Sequence, residues 1–93
     1  MNYSQKYYTV YKGLPEELAK KYPELPFENH CYLRIGLDHI LQDKWDKKLK
    51  RPAYKNLNEE QLNKLIQILE KYKSDKKLLL KHNKESLKFR GKS

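Results

Sequence analysis

NHCYLRIGLDHILQDKW, residues 29–45, is the stretch from which the fold is read. Wound at about 100° per residue, residues 30–42 put Leu33, Leu37, Ile40 and Leu41 on one broad arc, which Cys31 and Ile35 widen. If the helix runs on to Trp45, that indole prolongs the arc. A helix so apolar around its circumference belongs at the centre of a small domain. Three polar residues nevertheless fall within the arc: His30, Arg34 and Asp38, spaced i, i+4, i+8 and therefore aligned on one face. Arg34 and Asp38 are in reach of each other along the helix. Polar groups in apolar surroundings need partners. The line is thus either a structural ion pair tied to loop carbonyls, with His30 at the helix start, or part of a polar pocket. That pocket would comprise His30, Arg34, Asp38, His39, Trp45 and Tyr54.

Downstream lies the clearest helix of the chain. Asn58 caps it, Gln61 completes a capping box, and Leu62, Leu65, Ile66, Leu69 and Tyr72 follow at helical spacing. A last helix starts at Ser74 or Asp75 and runs to about Phe89, leaving 91–93 as a tail. Upstream, Asn29 is the expected N-cap of the central helix, and Pro23 and Pro26 separate it from a short helix, PEELAKKY, that opens on Pro15. Residues 6–12, KYYTVYK, have β-like composition, with Tyr7, Thr9 and Tyr11 on one side of a strand or extended arm. A lone strand is unstable by itself, so it would pair with a second copy of the chain, giving a homodimer, pair with a partner protein, or lie extended across the helices. The expected architecture is mainly α: a single domain over 1–93, with an arm at 1–13 and a core of about four helices at 14–90.

Composition narrows the function. The 93 residues carry a net charge of +9, very unevenly spread. Residues 1–43 hold five basic and six acidic side chains, a balance of −1, whereas residues 44–93 hold sixteen and six, a balance of +10. Two elements concentrate the excess. The connection 44–56 contains Lys44, Lys47, Lys48, Lys50, Arg51 and Lys55 against Asp46 alone, with Trp45 and Tyr54 interleaved. Lys77, Lys81, Lys84 and Lys88 form a stripe on the last helix. Basic residues beside aromatics suit nucleic acid, DNA or RNA, since charge holds phosphates and rings stack on bases. Only three of the 21 basic residues are Arg, so sequence-specific readout is expected to be modest.

Several chemistries lack their residues. The single cysteine, Cys31, rules out an intramolecular disulfide and fits a reducing cytoplasmic setting. The N-terminus has no signal-peptide run and no segment is apolar enough for a membrane span. His30 and His39 lie nine residues apart, about 13 Å along one helix, so they cannot share a metal ion, and no spacing in the sequence marks a metal site. No glycine loop or paired catalytic carboxylates stand out, which points away from an enzyme and from a cofactor. The leading expectation is therefore a non-enzymatic nucleic-acid-binding accessory protein. A protein-interaction module, an inhibitor or adaptor docking on an acidic partner, is the alternative; Tyr3, Tyr7, Tyr8 and Tyr11 would supply its interface. A small ligand-binding domain or enzyme using His30, Arg34, Asp38 and His39 comes third.

Overall fold

The chain folds almost entirely into helices, seen in a computed structural model that describes residues 3–91. Its elements are α1 (Tyr3–Tyr8), a π-helical turn (Thr9–Gly13), α2 (Leu14–Lys21), α3 (Asn29–Leu41), α4 (Trp45–Lys48), a 3₁₀ turn (Ala53–Lys55), α5 (Glu59–Tyr72) and α6 (Lys76–Phe89). There is no strand among the described residues. Lys92, Ser93 and the side chain of Tyr3 lie outside them.

The expected extended arm is instead helical and part of the core. Val10, Leu14, Leu18 and Tyr22 recur every four residues and are all buried, and this helical stripe overrides the β-propensity of the tyrosines. Pro15 does not break the helix because the turn before it is wound wide. Proline has no N–H to offer the carbonyl four residues back and crowds it. Here the Leu14 N–H reaches back five residues to the Thr9 carbonyl, so the π turn absorbs the conflict. Residues 6–12 are helical and so present no strand edge for a second chain to extend.

α3 is the central helix, as its composition implies, and packs against α2, α5 and α6. It ends sooner than the apolar pattern suggests. Gln42 adopts the left-handed conformation, φ 55°, and Trp45 opens a new helix rather than extending α3. The start also differs: Glu28 occupies the cap position and Asn29 is the first helical residue. Other boundaries follow the sequence signals. Asn58 and Gln61 form the capping box of α5, and Asp75, not Ser74, caps α6 by accepting from the Leu78 N–H.

Two faces of α3 are closed differently. Toward α5 the seam is apolar, joining Ile35 to Leu62, Leu65 and Leu69 within one buried cluster. Gly36 sits on that seam. A Cβ there would meet Leu65 Cδ1 at 2.8 Å and Leu69 Cδ2 at 3.2 Å, so the missing side chain is what lets the helices approach. Toward α6 the seam is polar, because that helix buries Leu79, His82 and Ser86 in succession. No helix among the described residues is long and apolar enough to cross a membrane.

The close approach at Gly36 gives a direct test of the packing. Gly36→Val should destabilise the domain by about 1–3 kcal/mol through overpacking. For a chain of this size each kcal/mol lowers the melting temperature by about 4–8 °C, measurable by circular dichroism. An unchanged melt would show that the α3–α5 seam has slack.

Candidate functional site

The polar seam begins at Asp38, which is fully buried. Arg90 donates to it through Nε at 2.8 Å and Nη2 at 3.0 Å. Ser86 Oγ donates at 2.5 Å and the Trp45 backbone N–H at 2.9 Å. The carboxylate thus has four donors from three residues on two segments, which meets the cost of desolvating a charge. Its hydrogen bonds hold the Arg90 guanidinium above its ordinary pKa. The helical pair expected between Arg34 and Asp38 is not formed. Arg34 turns to α6 instead, giving Nη1–H to Ser86 Oγ at 2.9 Å and Nη2–H to Asn83 Oδ1 at 2.8 Å. Ser86 therefore links the two, accepting from Arg34 while donating to Asp38. A burial this deep asks for more donors than one neighbour can supply, and Arg90 brings two.

One turn on, His39 stacks on His82 with ring centroids 3.6 Å apart and planes 14° from parallel. Tyr72 Oη lies 2.7 Å from His82 Nδ1, and burial pushes the Tyr72 hydroxyl pKa well up. Burial also lowers both imidazoles below their ordinary value, and Lys81 adds to the shift in each. His30 is remote from this cluster, exposed beside Glu28 at the start of α3.

A groove of about 670 Å³ opens where α3 meets the basic connection. It is lined by His30, Leu33, Arg34, Leu37, Trp45, Arg51, Pro52, Ala53 and Tyr54. His30, Arg34, Trp45 and Tyr54 of the expected polar pocket are thus brought together, whereas Asp38 is sealed in the seam and His39 lies on another face. Arg51, whose role in a pocket the sequence did not reveal, sits over the Trp45 ring at 4.8 Å. Tyr54 is braced from behind: Tyr11 stacks on it at 4.6 Å and Tyr7 meets it edge-on at 5.7 Å. Two of the expected interface tyrosines therefore serve as its support, while Tyr8 is half exposed. Among the described residues no carboxylate lines the groove, and its permanently charged groups are two guanidiniums. An apolar floor with rings and cations at its walls accepts a planar, anionic guest.

The surrounding lysines are poorly neutralised. Of Lys44, Lys47, Lys48, Lys50, Arg51, Lys55, Lys77, Lys81, Lys84 and Lys88, only Lys47 reaches a carboxylate among the described residues, Asp43 at 4.0 Å. Lys48 Nζ donates to the Leu41 carbonyl. Elsewhere Lys6, Lys64, Lys73 and Lys76 have acidic partners, Glu59, Glu60, Glu17 with Glu70, and Glu24, whereas Lys12, Lys20, Lys21 and Lys71 have none among the described residues. Trp45, Arg51 and Tyr54 each have a lysine beside them in sequence, namely Lys44, Lys50 and Lys55. Arg90 also lies 3.9 Å from Asp46, so the end of α6 that carries Lys88 adjoins α4, which carries Lys47 and Lys48.

Asp38→Ala should cost about 3–5 kcal/mol, because it strands a guanidinium in the seam, and chemical denaturation would show a matching drop in stability. A neutral effect would mean that water replaces the carboxylate. The stacked imidazoles predict a second trend. Their folded pKa values lie below the ordinary 6.5, so the unfolded chain binds protons more readily. Their contribution is complete above pH about 6.5 and is lost as pH falls through the folded values. Melting temperature should therefore drop from pH 7 to pH 5, and His39→Gln should flatten the slope; an equal slope would assign it to other groups. No protein-family model matches this chain, and neither a curated protein nor a solved structure matches it, so function is read from the geometry alone.

Proposed function

We propose that this domain is a non-enzymatic accessory protein that binds single-stranded nucleic acid across the groove face. The observation that carries the reading is the groove itself: an aromatic, carboxylate-free cleft whose outer wall is the basic connection. An unstacked base enters between Trp45 and Tyr54, where ring stacking is worth about 1–3 kcal/mol per base. Arg34 and Arg51 lie at hand for its phosphate or its edges. The flanking phosphates run along Lys44, Lys50 and Lys55, and onward over Lys47 and Lys48, while the stripe Lys77, Lys81, Lys84 and Lys88 on the exposed side of α6 offers a separate phosphate contact. A duplex presents no free base to such a cleft, so strand form separates groove binding from mere charge attraction.

Trp45 is the sole tryptophan, so its fluorescence reports on the groove directly. Labelled single-stranded DNA, single-stranded RNA and duplex DNA should be compared by anisotropy from low to physiological salt. Single strands are expected to bind more tightly than duplex and to quench Trp45. Replacing Lys47, Lys50, Arg51 and Lys55 with Gln should weaken binding and reduce the salt slope by about 0.7 for each phosphate no longer neutralised. Binding that is equal for all strands, without quenching, would reduce the charge to nonspecific attraction. Quenching by a mononucleotide as tight as by an oligonucleotide would move the reading to a small-ligand site.

A protein partner is the second reading. Tyr8 and Tyr11 remain 51% and 42% exposed, an apolar and aromatic surface on the first helical segment. Docking there would be helix against groove or surface rather than strand addition. Capture of one acidic protein, abolished in Tyr8→Ala with strand binding unaffected, would support it.

A further inference from the structure

We propose that His39, His82 and Glu85 form a binding site for a divalent transition-metal ion of the zinc class, clamping α3 to α6. One nitrogen from each imidazole and a carboxylate oxygen of Glu85 all lie within 4.8 Å of one another. His39 Nδ1 faces Glu85 Oε2 at 3.9 Å, too long for a hydrogen bond. That nitrogen is buried and has no hydrogen-bond partner among the described residues, which is unusual for a polar atom and leaves its lone pair free for a metal. His82 is oriented in the manner of a ligating imidazole. Its Nδ1 is engaged by the Tyr72 hydroxyl at 2.7 Å, which leaves Nε2 to bind and lets Nδ1–H donate to Tyr72 Oη when it does.

The donor set is two imidazoles and one carboxylate, which suits zinc and leaves a fourth position for water. His39 borders a hollow of about 430 Å³ that Gln42, Gln67 and the lysines Lys64 and Lys71 also line. Two features oppose the ion and set the size of the effect. The rings are nearly parallel, so their lone pairs run side by side; His39 must swing about its ring torsion, a broad and soft one, to converge on the metal. Lys81 and Lys71 also bring positive charge near the imidazoles. Binding in the micromolar range, rather than that of a preformed structural zinc site, is the expectation.

The test is titration of the full chain with Zn²⁺ and Co²⁺ at pH 7.5, by calorimetry and by visible absorption of bound Co²⁺. One ion per chain should bind, Co²⁺ should give the intense bands of low coordination, and Zn²⁺ should raise the melting temperature. His39→Gln and Glu85→Gln alter partly exposed side chains and should keep the helicity, and the metal-free melt of each variant at pH 7.5 is the reference from which its Zn²⁺-induced shift is read, so a change in basal stability does not confound them. Each should weaken binding at least tenfold. His30→Gln and Cys31→Ser, at the far end of α3, should leave it unchanged. Binding weaker than millimolar overturns the site. So does affinity that survives both His39→Gln and Glu85→Gln, or that falls with His30→Gln.

Discussion

The buried carboxylate of Asp38 is the constraint on which the rest of the structure depends. A lone charge in that position would be prohibitively unfavourable. Its donors come from α6 through Arg90 and Ser86 and from the start of α4 through the Trp45 N–H. Only one register of α6 on α3 serves all of them at once. A buried ion pair adds little net stability relative to well-packed apolar residues of the same size. Its consequence here is positional. The Trp45 N–H bond ends the excursion after Gln42 and sets the indole at the mouth of the groove. The Ser86 bridge fixes Arg34 on the groove wall.

This division of labour follows from the chain's composition. With 38% hydrophobic residues it fills one side of α3 well and has little left for the other. The apolar side goes to α5, where Gly36 brings the backbones close. The other side is closed by the hydrogen bonds Arg34–Asn83 and Asp38–Arg90 and by the stacking of His39 on His82. A polar seam is less forgiving than an apolar one, since each group removed leaves its partner buried and unsatisfied.

What the sequence reveals and what it hides follow the same distinction. Features governed by neighbours along the chain are legible. The capping box at Asn58 and Gln61, the periodicity of α5 and the central place of α3 all read directly. Residues 6–12 mislead because tyrosine, threonine and valine favour strands locally, while the stripe Val10–Leu14–Leu18–Tyr22 crosses the apparent break at Gly13 and Pro15. The seam hides for another reason. Asp38 is marked as needing a partner, but Arg34 is the candidate in view and Arg90 is 52 residues away. Likewise His39 looks solitary until α6 delivers His82. In the groove, His30, Arg34, Trp45 and Tyr54 are legible as a set; Arg51 could be added from its place in the same basic connection.

The charge pattern adds an argument that composition alone does not contain. Here Glu17, Glu24, Glu59, Glu60 and Glu70 are matched to Lys73, Lys76, Lys6 and Lys64. The connection and the stripe keep their positive charge almost uncompensated, and self-repulsion there opposes folding. Mixed signs on those elements would remove that cost and add helical pairs. An anionic partner lying over the same surface removes it too, and only in the bound state. On that account the charge of the connection belongs to the proposed reading of the groove that it walls.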